Sequence, residues 1–459
     1  MTRRLNNFAL LVICGVIVAT PLAYGTVHQP TLIAFYATTL LLALLWAAES
    51  WVSGTGFRGN WLQLPLLCLG IYALVQSLAL GRSSDASIDG IGFTISVDPF
   101  ESRVAAIHIF VLSIFFAATL FYIDSAKRLR RLAILIVVFG FAYAFYSILQ
   151  LVLSPEAIFG IYRPTATPFG SFVNRNDFAA FMVMLASIPL GMLFSGAIAR
   201  EKRLIYVVAV GLMATSLLLS RSRGGLVALL VEFPLLVILT ARGRGKSKIL
   251  LKAGLSLAFL ITAIGGTLLV GGETSLTRLS VTNFATEKPA ETTSRFHMWS
   301  VTTSIIRDRW ILGAGIGAFP TVYPRYDTSS GTERVEQAHN DYLQLLADAG
   351  LVGAAIGLFF LYSLIRQARK SIRVNNLFRR GVAVGALAGI VAILVQSLFD
   401  FVLHITAISV MFLTLLAMLV ASGRDFEDDI PGDDEPRRRR QSASVSSLRH
   451  RDSARRSDA

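Results

Sequence analysis

Up to residue 422 the chain alternates long apolar runs with short polar breaks. Apolar runs of about 18 residues or more are long enough to cross a hydrocarbon core of about 30 Å, and such runs without alternation predict helices rather than barrel strands. Twelve spans are predicted, at roughly 8–27, 31–48, 61–80, 104–123, 132–154, 177–198, 204–220, 225–240, 249–270, 346–365, 381–399 and 401–422. The breaks DSAKRLRR (124–131), AREKR (199–203), ARGRGKSK (241–248) and RQARKSIRVNNLFRR (366–380) are strongly basic and fall at every second connection. Lys and Arg stay in the cytoplasm, so these breaks, together with Arg3 and Arg4, orient the chain with both termini inside. The first run, about 20 residues from Phe8, is longer than the apolar part of a signal peptide and is expected to remain as a span.

One connection is long, and the alternation puts it outside. The predicted organisation is spans one to nine over 1–270, a periplasmic loop carrying short helices over 271–345, spans ten to twelve over 346–422, and a disordered basic cytoplasmic tail over 423–459. The tail holds an acidic patch (Asp425, Glu427, Asp428, Asp429) followed by Arg437 to Arg440. The expected fold class is all-α, a polytopic helical membrane protein of about twelve transmembrane helices.

Composition narrows the functional classes. Of 459 residues, 54% are hydrophobic and only 16% charged, with mean hydropathy +0.61. A soluble domain carries about 25% charged residues. Soluble enzymes, disordered scaffolds and secreted disulfide proteins are excluded. The net charge of +14 would suggest nucleic acid in a soluble chain; here it follows from the basic inner loops. Cys14 and Cys68 lie inside apolar runs and read as small buried hydrophobes.

The candidate chemistry gathers on the outer side. Residues 294–310 (SRFHMWSVTTSIIRDRW) set Arg295 and Trp299 one helical turn apart, with Trp310 further on, a pattern that suits a helix at the membrane interface. Gly313, Gly315, Gly317 and Pro320 mark a turn; without a preceding strand, their spacing is no nucleotide fingerprint. Residues 335–349 (VEQAHNDYLQLLADA) begin polar and turn apolar, like the outer end of the tenth span. Arg221 and Arg223 stand in SRSRGG, and Arg163, Asn174, Arg175 and Asn176 in RPTATPFGSFVNRND. One arginine at a helix end is explained by snorkelling. Several on the side that should be depleted of them point to phosphate, which a guanidinium grips with two parallel hydrogen bonds.

Among the six histidines, His339 is favoured as a proton acceptor because Asn340 and Tyr342 stand beside it at the expected height of the headgroups; His297 is its rival. The outer carboxylates Asp85, Asp89, Asp98 and Glu101 are scattered, and no metal-ligand spacing such as HExxH occurs, so neither metal nor cofactor is expected. Glu232 falls in the middle of the eighth span, where a packing or hydrogen-bonding role is expected.

The strings SRSRGGLVALLVEF, SRFHMWSVTTSIIRDRWILGAGIGAFP and AHNDYLQLLADAGLVG, in this order and preceded by TISVDPFES and FGSFVNRNDFAAF, resemble the O-antigen ligase and polymerase family of bacterial envelope glycan enzymes. The likeness runs over roughly 90–400. It implies an active site on the outer face, in a long periplasmic loop, and a substrate glycan carried on undecaprenyl diphosphate. The family's arginine in its SRG motif falls on Arg223, the arginine of its R-x-x-x-W motif on Arg295, and its histidine before Asn and Tyr on His339. Many members carry a second histidine where this chain has Gln337, so a difference is expected at the acceptor contact. Arg223 and Arg295 are then the expected diphosphate ligands and His339 the catalytic residue. Arg163, Arg221, Asn174, Asn340 and Tyr342 are secondary candidates.

The resulting expectation is a metal-independent, inverting glycosyltransferase of the inner membrane. It would act as O-antigen or exopolysaccharide polymerase, or as ligase onto a lipid A core. Its partners would be the lipid-linked donor, the glycan acceptor and membrane lipids, with no nucleic acid. The competing reading from twelve spans alone is a transporter or flippase, which calls for paired half-repeats with polar sites at the membrane midplane. The single asymmetric outer loop argues against it.

Overall fold

The computed structural model of the protein describes residues 2–54, 59–79, 94–241, 254, 257, 295–328 and 334–426. Its helices are α1 (Thr2–Leu22), α2 (Gln29–Ser53), α3 (Gln63–Gln76), α4 (Pro99–Tyr122), α5 (Ala126–Leu153), α6 (Arg175–Ser195), α7 (Arg203–Leu219), α8 (Arg223–Thr240), α9 (Arg295–Asp308), α10 (Phe319–Val322), α11 (Asp341–Ser371), α12 (Leu377–Gln396) and α13 (Thr406–Ser422). Among the described residues nine helices are long and apolar enough to cross a membrane, and the apolar helices α3 and α13 are shorter. This is an all-α, multi-pass membrane protein. Apart from residues 254 and 257, the predicted span at 249–270, the first part of the long loop up to 294, and the tail from 427 lie outside the described residues.

Polar side chains set where several helices begin. Asp98, Ser125, Asn174, Ser222, Asn340 and Asn376 each accept a backbone N–H from the first turn of the helix that follows. The sequence pattern extended the tenth span back toward 335; Asn340 starts the helix at Asp341 instead, and its neighbours before that are non-helical.

The core of the molecule is α6 against α12. Both helices are buried on nearly every side. The contact depends on glycine: Gly381, Gly385 and Gly389 recur every four residues on α12 and face Ser187, Ile188 and Met192 of α6. A methyl group on Gly191 would collide with the backbone of Gly385. Small residues let two backbones approach where lipid supplies no hydrophobic drive between helices. α8 and α13 pack on the same pair. The close antiparallel crossing joins the first turn of α6 to the last turn of α12, where the Gln396 amide donates to the Asn176 carbonyl at 3.1 Å.

A smaller hydrophobic cluster (Met298, Val301, Ile305, Phe319, Val322, Tyr323, Ala338) binds α9 and α10 to the segment ahead of α11. Gln76, at the end of α3, fixes this layer to the helices below: its amide donates to the carbonyls of Leu312 (2.8 Å) and Asp348 (2.9 Å) and accepts from the Ile316 N–H (3.0 Å).

Candidate active site

The site assembles around Asp400, in the short connection between α12 and α13. Its side chain is only 4% exposed. Oδ1 accepts from Nδ1 of His339 at 3.0 Å and from its neighbour's N–H, that of Phe401, at 3.1 Å. Oδ2 accepts from the Asn176 amide at 2.8 Å and faces Nη2 of Arg295 at 3.7 Å. Four separate segments thus meet on one carboxylate. Burial pushes this carboxyl group up, but the hydrogen bond and charge of His339, the charge of Arg295 and the Phe401 N–H outweigh it and hold the group below the usual carboxylate range. Asp400 is therefore ionised, and an ionised carboxylate only accepts hydrogen bonds. Nδ1 of His339 must carry the proton, and in the neutral ring that leaves Nε2 as an acceptor.

The imidazole is held on two further sides. The Phe401 ring stands edge-on to it, centroids 4.8 Å apart. Its backbone has φ +49°, in the left-handed region that histidine tolerates better than most residues. The next three residues clamp this segment to the α12–α13 connection. The Asn340 side chain accepts from the N–H groups of Tyr342 and Leu343, both at 3.0 Å, and donates to the Leu398 carbonyl at 3.0 Å. The Asp341 N–H donates to the Ser397 carbonyl at 2.9 Å, and its carboxylate pairs with Nδ1 of His404 at 3.0 Å. The Tyr342 hydroxyl donates to the Leu394 carbonyl at 2.6 Å. Asn340 and Tyr342 thus build the site by holding backbone, with their polar atoms engaged inside the protein.

Arg295 is the first residue of α9, half-buried, and its helix is pinned by the Trp299 indole N–H, which donates to the Ala338 carbonyl at 3.0 Å. That contact turns Trp299 onto the His339 segment. His297, on the same helix, pairs with Asp327 at 3.0 Å instead of joining the Asp400 contacts. Arg223 is the first residue of α8, after the cap Ser222. A methyl on the next residue, Gly224, would lie 3.3 Å from Gln396, whose amide bonds Asn176. The start of α8 therefore lies against the same junction of α6 and α12. Arg221, before the cap, is half-buried with φ +57°.

Two secondary candidates fall elsewhere. Asn174 caps α6, accepting from the Asn176 N–H at 2.9 Å; Asn176, two residues on, is the one that reaches Asp400. Arg163 is exposed beside Tyr162, which packs on Tyr24 and His28, and among the described residues no contact joins it to the Asp400 cluster. Glu232 is fully buried in α8, and neither carboxylate oxygen has a hydrogen-bond partner among the described residues, so of the two roles expected of it packing is the one the structure shows.

Asp400 itself was missing from the candidates. The apolar pattern ends one span at 399 and starts the next at 401, which leaves a single carboxylate alone in the gap. A charge between two spans at the outer side was the available signal.

Residues 208–358 match the family model described as O-antigen ligase. The matched stretch contains Arg223, Arg295 and His339, and ends before Asp400. No curated protein matches the chain.

Proposed function

Over residues 208–358 the chain belongs to the O-antigen ligase and polymerase family, and from that premise we propose that it transfers a glycan from undecaprenyl diphosphate to a sugar hydroxyl on the periplasmic side of the inner membrane. The observation that carries this reading is the contact of His339 and Arg295 with one buried carboxylate, Asp400. A histidine oriented by a carboxylate through one nitrogen presents the other as a general base. Arginines beside it bind and stabilise a departing diphosphate.

In the proposed reaction the acceptor hydroxyl attacks the anomeric carbon while Nε2 of His339 takes its proton. The bond between that carbon and the diphosphate oxygen breaks, and the electron pair leaves with the diphosphate. Attack opposite the leaving group inverts the anomeric centre. Asp400 stabilises the imidazolium that forms. Arg223 and Arg295 hold the diphosphate as its charge grows. The leaving group is already activated, so the step calls for no nucleotide.

The test is transfer of a lipid-linked oligosaccharide in reconstituted membranes. His339→Ala is expected to lower the rate by about 10²–10⁴-fold, the usual loss on removing a general base, while the protein still inserts and still binds donor. His297→Ala is expected to keep near wild-type activity, because its partner is Asp327. Wild-type transfer by His339→Ala would overturn the assignment. The acceptor class is read from cells lacking the gene: accumulated single repeat units indicate a polymerase, and full-length unattached chains a ligase.

A further inference from the structure

A second cationic site lies at the opposite end of α11 from His339. Leu358, Leu361, Tyr362 and Ile365 follow a helical i, i+3, i+4, i+7 spacing and are all exposed, forming one apolar stripe. The same face continues into Arg366 and Arg369. Beside it α3 runs antiparallel, with exposed Trp61 just ahead of its start. The apolar stripe of α11 therefore ends at a pair of guanidinium groups.

The junction is built rather than incidental. The Trp61 ring meets Phe359 edge-on at 6.2 Å and carries the Arg366 guanidinium over its face at 5.0 Å. The Asn60 amide donates to the Gln367 side chain at 3.2 Å, tying the start of α3 to the end of α11. Tyr362, Ile365, Arg366 and Arg369 line a cavity of about 410 Å³. Arg366 and Arg369 are one turn apart and repel one another, and among the described residues neither forms an ion pair with a carboxylate. A pair of like charges held on one cavity wall calls for an anion, and the α11 stripe calls for that anion to be an amphiphile.

We propose that this cavity on α11, beside the Trp61 stack, binds the headgroup phosphate of an anionic phospholipid, with its acyl chains lying along the apolar stripe. In the orientation set by the basic loops it faces the cytoplasmic leaflet, where basic pockets between spans recognise anionic lipid. The inference does not depend on the reaction proposed above.

The experiment uses the purified full-length chain in detergent, with native mass spectrometry of added phosphatidylglycerol, phosphatidylcholine of matched chains, and inorganic phosphate. Wild type is expected to retain phosphatidylglycerol over phosphatidylcholine. R366Q/R369Q is expected to lose about 25-fold of that preference, roughly fivefold for each arginine. R369Q alone, outside the Trp61 stack, is expected to lose about fivefold and supplies the readout where the double variant fails to fold. R200Q/K202Q, which removes charge at another basic break, is expected to leave the preference intact. An undiminished preference in R369Q, an equal loss in R200Q/K202Q, or displacement of the lipid by millimolar phosphate would each overturn the proposal.

Discussion

Asp400 shows how one side chain gives several others their meaning. A buried ion that loses its only partner destabilises a fold by about 3–5 kcal/mol, but Asp400 has donors on three sides besides His339. That is why His339→Ala is expected to insert normally. Asp400→Asn keeps the shape and removes the charge that fixes the His339 tautomer. It is expected to lower turnover by about 10²–10⁴-fold with little effect on donor binding, measured as separate kcat and KM values. The pH dependence follows from the sign of the shift. A carboxyl held below its ordinary value of about 3.9 contributes stability that is present above that pH and lost as pH falls through the depressed value. Wild-type turnover is therefore expected to show no loss from Asp400 until the medium falls below about pH 4; a carboxylate-dependent drop near pH 6 that Asp400→Asn abolishes would contradict this. Arg223 tests the fork itself. Arg223→Lys keeps charge and loses bidentate geometry, so a large loss of transfer is expected, against a milder one for Arg221→Ala. Equal losses would mean that the two roles within SRSRGG are wrongly divided. At this scale Arg223, Arg295 and His339 were legible as candidates, from their place on the expected outer side and from the family motifs they match. Asp400 and Asn176 were not, because their importance lies in contacts between segments more than 200 residues apart.

At the scale of elements, hydropathy located the described spans, and caps decided their ends. Ser222, Asn340 and Asn174 each fix a helix start within a turn of a site residue, which ties α8, α11 and α6 to one geometry. The repeat Gly381, Gly385, Gly389 is visible in the chain, but which helix it meets is not a local property of the pattern. Its partner, α6, carries Asn176 to Asp400 only because the two backbones touch. A methyl on Gly385 would lie 2.5 Å from the Ser187 carbonyl oxygen and 2.9 Å from the Ile188 Cα, so backbone must move. Gly385→Ala is expected to destabilise by about 1–3 kcal/mol, the usual penalty of overpacking, with a lowered melting temperature and reduced transfer. Gly211→Ala on α7, where nothing lies within 4 Å of the new methyl, is the control and is expected to melt as wild type. Equal melting temperatures in the two variants would remove the crossing as the source of site geometry.

For the whole molecule, everything depends on which side of the membrane holds the Asp400 cluster. The helices fix relative ends: α6, α8 and α11 begin at the cluster, α12 ends there, and the basic breaks at 199–203 and 366–380 lie at the far ends of α6, α11 and α12. A membrane chain retains Lys and Arg on the cytoplasmic side, and the bias is counted over short loops near the spans, as here. On that rule the cluster and its arginines are expected to face the periplasm, where the diphosphate of the proposed donor would sit at headgroup height with its tail in the bilayer. A reporter active only outside the cytoplasm is expected to work when fused at about 330 and to fail at about 245 and 375. The reverse pattern would turn Arg223, Arg295 and His339 toward the cytoplasm and put the Arg366–Arg369 cleft in the outer leaflet. The side-chain geometry would stand, but the donor would be on the wrong side and the assignment of a periplasmic transfer would fall with it.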